Sequence, residues 1–351
     1  MIRFAKGLLG PLLLGAAVAL AGCSKGPEQV LYLYNWSEYM PQEVLDAFRE
    51  ETGIRVAYTT YDSNEAMYAR LRLLDESNAY DLAVPSTYYV NKMRNEGLLQ
   101  PVDKSKLTRF ANLDPQLLNQ GFDPENQYSV PYLWGSTGMA VNGAAVSTDG
   151  VTKWADLWDP KYKGRVLLTN DVREVFHIGL RVLGYSGNST SEEEIAAAYE
   201  KLRELMPSVR AFNSDAPRMP YLEGEADIGL IWNGEAVMAQ EELPELAYVY
   251  PEEGAVIWVD NFVIPKNARN VEAAHKFIDF VLQPEVAAQI SEEIGYATPN
   301  LPARELLPPE VRENRTSYPT EEDLENAEFQ SDVGEALLVY ERYWELLKAG
   351  H

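Results

Sequence analysis

Short apolar runs alternate with amphipathic stretches along this chain. Residues 31–34 form an apolar and aromatic run typical of a buried strand, and the apolar positions within residues 41–51 fall on one face of a helix. Residues 54–58 and 80–85 predict two further strands, with a helix over residues 64–74 between them. Strands that alternate with helices in this way predict an α/β fold.

The second half of the chain repeats this rhythm. Residues 154–158 and 164–171 are predicted strands that open a second sheet, and residues 228–232 predict another buried strand. The chain has 351 residues, too many for a single core of ordinary size, so two lobes are expected. We place the two crossings between these lobes in the extended segments 128–138 and 256–265.

The first 22 residues differ from the rest of the chain. Arg3 and Lys6 precede an apolar run over residues 8–20, which is too short and too interrupted for a membrane span and is typical of a signal peptide. The run ends in Leu20-Ala21-Gly22-Cys23, which resembles a bacterial lipobox and predicts that Cys23 is lipid-modified. The alternative is a free thiol in an ordinary export signal. Because Cys23 is the only cysteine, the chain forms no internal disulfide.

Charge and motif content exclude several function classes. The formal net charge of −24 excludes nucleic acid as a partner and favours cationic ligands. The three histidines, His177, His275 and His351, show no metal-ligand spacing. The sequence also lacks a nucleophile elbow, a Walker-type phosphate loop and a dinucleotide-binding glycine motif. We therefore expect no metal, no cofactor and no catalytic residues.

A repeated pairing of acidic or hydroxyl side chains with aromatic ones marks the ends of the predicted strands. The members are Trp36 with Glu38 and Tyr39, Ser86 with Tyr88, Asp171 with Glu174, Trp232 with Glu235, and Trp258 with Asp260. Carboxylates bind protonated amines through charge-assisted hydrogen bonds, and aromatic faces pack on methylene groups and attract ammonium groups. A linear polyamine carries both kinds of group, so the pattern predicts a polyamine site.

Simpler interpretations exist for the individual pairs. Asp171 and Glu174 are three residues apart, which suits a helix N-cap and its N3 partner as well as a ligand site. Each tryptophan taken alone is explained by core packing. The period of two in a strand places Trp258 and Asp260 on the same side, where both can face a ligand.

Several motifs together resemble the spermidine/putrescine-binding proteins of polyamine ABC importers, over essentially the whole chain from Leu31 onward. The motifs lie in residues 35–39, 51–54, 84–90, 170–176, 231–234 and 294–300. The resemblance implies a type II periplasmic binding-protein fold: two α/β lobes joined by a two-crossing hinge, with the ligand in the cleft and closure around it. The expected division is a signal peptide at 1–22, a first lobe of 24–134 plus 257–310, and a second of 135–256 plus 311–351.

The resemblance also implies a set of ligand-binding residues. The aromatic box is Trp36, Tyr39, Tyr88, Trp232, Trp258 and Tyr296; the acids are Glu38, Asp171, Glu174 and Asp260; Ser86 and Gln330 add polar contacts. Two positions depart from the pattern of spermidine-preferring members. Ser37 replaces a frequent threonine and keeps the hydroxyl, whereas Glu235 is acidic where a small residue is usual. Glu235 either lies outside the cleft or shortens the site by holding an ammonium group. Putrescine-preferring relatives tend to carry an acid there, which favours the second alternative.

The function implied is capture of spermidine, with appreciable binding of putrescine, and delivery to a membrane permease of an ABC importer. The protein is expected to be a non-enzymatic monomer in the periplasm, anchored to a membrane through Cys23. One alternative is a two-lobed polyamine sensor for a signalling partner, whose binding site would look identical. Another is a glycoside hydrolase that uses two carboxylates such as Asp171 and Asp260.

Overall fold

The computed structural model describes residues 28–75 and 79–350. The predicted signal peptide and Cys23 lie outside these residues. In the first half of the chain the strands are β1 (Val30–Trp36), β2 (Arg55–Tyr61), β3 (Leu82–Ala83), β4 (Leu99–Gln100) and β5 (Ser129–Asn142); the helices are α1 (Gln42–Thr52), α2 (Asn64–Leu73) and α3 (Thr87–Asn95). The strand–helix order predicted for this half is confirmed.

The second half adds six strands and nine α-helices within the described residues. The strands are β6 (Val166–Leu168), β7 (Val209–Phe212), β8 (Ile228–Trp232), β9 (Leu246–Val249), β10 (Val256–Pro265) and β11 (Glu328–Phe329). The helices are α4 (Val172–Val182), α5 (Glu192–Leu205), α6 (Met219–Leu222), α7 (Asn233–Glu242), α8 (Val271–Val281), α9 (Pro284–Ile294), α10 (Leu301–Leu306), α11 (Pro309–Arg312) and α12 (Leu337–Ala349). Among the described residues, no helix combines the length and the hydropathy needed to cross a bilayer.

The strand predicted over residues 154–158 is wrong, because this segment is a 3₁₀ helix. The Asp156 carboxylate accepts hydrogen bonds from the backbone N–H groups of Thr152 and Lys153. The Glu253 carboxylate accepts from the N–H groups of Trp154 and Ala155. These side chains satisfy the free donors at the start of a helical turn, which an apolar pattern alone does not reveal.

One continuous sheet runs through both halves, in the order β2-β1-β3-β10-β5-β8-β6-β7. The sequence predicts a separate second sheet, but β5 is fourteen residues long and pairs with β10 along its first part and with β8 and β9 along its second. Strands β1, β2 and β3 are parallel, as are β6, β7 and β8. The two outer sets are therefore joined by the antiparallel strands β5 and β10.

Two main hydrophobic cores lie on either side of these joining strands. The first contains Phe48, Phe262 and Phe277, and the second contains Trp154, Phe176 and Trp344. We call the part of the molecule around the first core the first lobe and the part around the second core the second lobe. Val311 and Tyr318, which the sequence assigns to the second lobe, pack with Ala287 and Ala303 beside the first. The chain then returns through β11, which pairs with β10.

Gly229 sets the spacing between β6 and β8, and hence between the loops that follow these strands. A Cβ atom at Gly229 would lie 2.0 Å from the backbone oxygen of Leu167 and 2.6 Å from its nitrogen. Because Leu167 is the β-ladder partner of Gly229, neither atom can move without breaking the pairing. The absence of a side chain at Gly229 therefore permits the close approach of β6 and β8.

We expect Gly229→Ala to lower the free energy of unfolding by about 2–3 kcal/mol, since the new methyl group overlaps backbone atoms. Chemical denaturation followed by circular dichroism measures this loss. Gly121→Ala is the matched control, because Gly121 is exposed and a Cβ there meets nothing within 4 Å. Equal denaturation midpoints for the two variants would contradict the assigned role of Gly229.

Candidate functional site

A cavity of about 600 Å³, measured out to its open mouth, lies between the lobes where the strand ends meet. Within each lobe the parallel strands place their carboxyl ends at one edge, the usual ligand position in α/β sheets. The structure brings most of the predicted residues into this cavity. Its walls include Trp36, Ser37, Glu38, Tyr39, Ser86, Asp171, Glu174, Trp232, Glu235, Trp258, Asp260, Tyr296 and Gln330.

Tyr88 does not line the cavity. It belongs to the first turn of α3, and its ring packs 4.7 Å from that of Tyr89, with the guanidinium carbon of Arg173 5.5 Å from its centroid. Its hydroxyl lies 3.4 Å from a carboxylate oxygen of Glu65. Tyr88 therefore supports the wall from behind, next to Asp171, instead of facing a ligand.

Asp260 is the buried acid of the first lobe. Its Oδ1 accepts a hydrogen bond from the Ser86 hydroxyl at 2.6 Å, and its Oδ2 accepts one from the Tyr39 hydroxyl at 2.9 Å. Burial raises the pKa of Asp260 to about 7, although these two hydrogen bonds act in the opposite direction. Asp260 therefore keeps its proton to a higher pH than an ordinary aspartate does.

Asp171 and Glu174 form the acidic group of the second lobe. Asp171 is the N-cap of α4, and its Oδ1 accepts from the backbone N–H groups of Arg173 and Glu174 at 2.8 and 2.9 Å. Glu174 Oε1 accepts from the Thr137 hydroxyl at 2.5 Å and from the Trp232 indole at 2.9 Å. The N-cap interpretation of Asp171 is thus confirmed, while both carboxylates also face the cavity.

Burial also controls the protonation of this acidic pair. It raises the pKa of Glu174 to about 8, and the neighbouring charge of Asp171 adds to the shift. Burial raises the pKa of Asp171 as well, against the opposing effect of its backbone hydrogen bonds. The nearby charge of Arg173 also opposes the rise in the pKa of Asp171, whereas no cation among the described residues opposes it at Glu174.

The aromatic walls are fixed by hydrogen bonds and by contacts between rings. Trp36 donates from its indole to the Val84 carbonyl, and Trp258 donates to the Thr137 hydroxyl. The ring of Tyr296 lies 5.1 Å from that of Tyr39 and 5.5 Å from that of Trp258. These contacts hold the rings in place and leave their remaining surfaces to the cavity.

Glu38 and Glu235 share a partner at the mouth of the cavity. The Arg218 guanidinium donates to both carboxylate oxygens of Glu235, at 3.0 and 2.9 Å, and to Glu38 Oε2 at 2.7 Å. Of the two alternatives for Glu235, the structure places this residue in the cavity wall, but with its charge paired to a protein cation.

Three further wall residues do not follow from the predicted pattern, namely Asn64, Ser214 and Asp215. Asn64 accepts from the Ser86 backbone and donates to the Ser86 hydroxyl, so it orients that hydroxyl towards Asp260. The three residues follow β2 and β7, which end in Tyr61 and Phe212. A search for polar residues after every strand would have found them.

Known proteins resemble this chain over nearly its whole length. The family model for bacterial extracellular solute-binding proteins matches residues 43–318. The spermidine/putrescine-binding periplasmic protein of Escherichia coli (strain K12) is 54% identical over 352 aligned residues, covering 100% of both chains.

Two solved structures extend this comparison. The spermidine/putrescine ABC transporter substrate-binding protein PotD of Streptococcus pneumoniae is 40% identical with a TM-score of 0.75, covering 90% of this chain and 99% of its own. The TpPotD lipoprotein of Treponema pallidum is 30% identical with a TM-score of 0.80, covering 91% and 99%. These likenesses confirm the predicted type II solute-binding fold.

The raised pKa values generate a prediction for the ligand-free protein. Glu174 and Asp260 retain protons in the folded state at pH values where the unfolded chain has lost them, so the folded state binds more protons between about pH 4 and 8. The free energy of unfolding should therefore fall by several kcal/mol as the pH rises through this range. Denaturation at several pH values measures the slope.

The double variant Glu174→Gln/Asp260→Asn should flatten this slope, because neither new side chain titrates. Glu43→Gln, a change at an exposed position on α1, should leave it as in the wild type. A slope as steep as that of the wild type would assign the pH dependence to other buried acids such as Glu65, whose pKa burial also raises.

Proposed function

The chain belongs to the family of bacterial extracellular solute-binding proteins, and we propose that it captures spermidine and putrescine outside the cytoplasm and delivers them to an ABC permease. One observation carries the proposal. Asp171, Glu174 and Asp260 are buried, face an aromatic-walled cavity, and form no ion pair with a Lys or Arg side chain of residues 28–75 and 79–350. The names of the Escherichia coli and Streptococcus pneumoniae relatives support the same ligands and transport role.

Unpaired buried carboxylates select for a cation of a particular kind. Burial of a charge without a partner costs several kcal/mol, so a bound ammonium group restores what the site lacks. A hydrogen bond to a charged group contributes about 1.5–3 kcal/mol. A metal ion would neutralise the carboxylates, but it has no apolar part that contacts the aromatic walls. The methylene groups of a polyamine pack on these walls.

The proposed roles follow from these positions. Asp260 holds one ammonium group with the help of Ser86 and Tyr39, and Asp171 with Glu174 holds another. The rings that pack on the methylene groups are those of Trp36, Trp232, Trp258 and Tyr296. Gln330, whose amide nitrogen has no hydrogen-bond partner among the described residues, and Ser37 are the further polar contacts.

Isothermal titration calorimetry of putrescine and spermidine at one ionic strength tests the proposal. Both amines should bind saturably, and an uncharged sugar such as maltose should give no heat. Asp260→Asn should weaken both amines at least tenfold, since it removes a charge-assisted contact of about 1.5–3 kcal/mol. Absence of binding by either amine to the wild type would refute the proposed function.

Asp46→Asn is the matched control for this substitution. Asp46 lies on the exposed face of α1, so the change alters the net charge equally without touching the cavity. Its affinities should remain within twofold of the wild type. Equal weakening by Asp46→Asn and Asp260→Asn would mean that overall charge, and not the contact at Asp260, governs binding.

Attachment to a membrane through Cys23 is a second part of the proposal. Its support is the lipobox-like Leu20-Ala21-Gly22-Cys23 and the description of the Treponema pallidum relative as a lipoprotein. Acyl chains on the first residue of the mature protein would keep it close to its permease.

We expect mass spectrometry of the mature protein, purified from bacterial membranes, to find an acylated Cys23 at the N terminus. Because of the attached acyl chains, extraction of the protein from the membrane should also require detergent. A mature chain that begins elsewhere, or that begins with an unmodified Cys23, would contradict the anchor while leaving the polyamine site untouched.

A further inference from the structure

Arg218 joins two carboxylates that come from opposite sides of the cleft. It lies just before α6 in the second lobe, next to Glu235 in the first turn of α7, whereas Glu38 lies in the loop after β1 of the first lobe. Its Nη1 bonds to both oxygens of Glu235, and its Nη2 bonds to Glu38. One guanidinium group thus forms hydrogen bonds with two carboxylates at the mouth of the cavity.

The Glu235 end of this ion-pair group, in the second lobe, is buried, whereas the Glu38 end, in the first lobe, is exposed to solvent. The side chains of Glu235 and Arg218 are 8% and 17% exposed, whereas that of Glu38 is 55% exposed. A buried ion pair in which one guanidinium nitrogen reaches both carboxylate oxygens is stronger than a single contact to an exposed carboxylate, which is weak. Arg218 is therefore held firmly by Glu235 and loosely by Glu38.

The backbone of Glu38 is also unusual. Its φ angle is +49°, in the left-handed region that costs a residue with a side chain about 1 kcal/mol or more. The preceding Ser37 and the following Tyr39 both line the cavity. The strained turn therefore keeps the Glu38 carboxylate at the mouth, where it meets Arg218.

The acids predicted for the site from the sequence consequently fall into two classes. Asp260 and the pair Asp171 and Glu174 have no protein cation bonded to them within the described residues, so they offer two places for ammonium groups. Glu38 and Glu235 form the third place, which already contains a positive charge. The family resemblance assigns Glu38 to an amine, but here that amine has a competitor.

We propose that Arg218 is a tethered cation that determines ligand choice by occupying the carboxylates at the mouth of the cleft. This inference rests on the proposed polyamine function. The two inner places bind the ammonium groups of a diamine. The third ammonium of a triamine must displace the guanidinium from Glu38, so it adds little affinity. Because Arg218 is part of the chain, it competes with the ligand without the entropic cost of association.

The test compares two amines on proteins of equal net charge. Arg218→Ala/Glu235→Ser removes the cation together with its buried partner, so Glu38 is freed and no unpaired buried acid is left at position 235. Arg210→Ala/Glu225→Ser is the matched control, because this ion pair lies in the same lobe, is half-exposed and does not line the cavity. Calorimetry at fixed pH and ionic strength gives the dissociation constants for putrescine and spermidine.

We expect the first double variant to favour spermidine over putrescine at least fivefold more than the wild type does. The control should keep the wild-type ratio. Adding Glu38→Gln to the first double variant should abolish the gain, because Glu38 is the acid that becomes available. Thermal denaturation confirms that each variant is folded.

Three results would overturn the inference. In the first, the ratio of spermidine affinity to putrescine affinity changes less than fivefold, as it does when both affinities change equally. Arg218 would then connect the lobes without determining ligand choice. A gain that persists with Glu38→Gln would assign the effect to another group. A wild type that binds neither amine would overturn the proposed function as well, whereas the first two results leave it intact.

Discussion

Desolvation of carboxylates at the strand ends is the constraint on which the site depends. Asp260, Asp171 and Glu174 would each be more stable in water, and the fold keeps them buried all the same. The desolvation cost is offset by the free energy of apolar burial in the two hydrophobic cores on either side of the cleft. These cores contain large rings such as Phe277 and Phe176. Burial that is unfavourable for the ligand-free protein becomes the source of affinity when a cation enters.

The strands that join the lobes also carry part of the site. Trp258 and Asp260 belong to β10, and Thr137 belongs to the neighbouring β5. A chain of hydrogen bonds runs from the Trp258 indole through Thr137 to Glu174 in the second lobe. Any change in the angle between β5 and β10 therefore alters the distance between the two acidic groups. The geometry of the site therefore depends on how these two strands cross between the lobes.

Much of this arrangement could be predicted from the sequence. The period of two along β10 places Trp258 and Asp260 together, and the structure puts both in the cavity wall. The segment 154–158 could not be predicted correctly, because its helical turn depends on Glu253, far along the chain. The pairing of Arg218 with Glu38 joins residues 180 positions apart and has no local signature. Local patterns reveal strand ends, whereas contacts between them require the tertiary structure.

The pKa values of Glu174 and Asp260 have a consequence for how the loaded and empty states differ. Near neutral pH a large share of these carboxyl groups is protonated and neutral without ligand. With an ammonium group beside it, each becomes a carboxylate whose charge is cancelled by the ligand. Loading therefore exchanges part of these protons for the positive charge of the ligand, so ligand binding and proton release are linked.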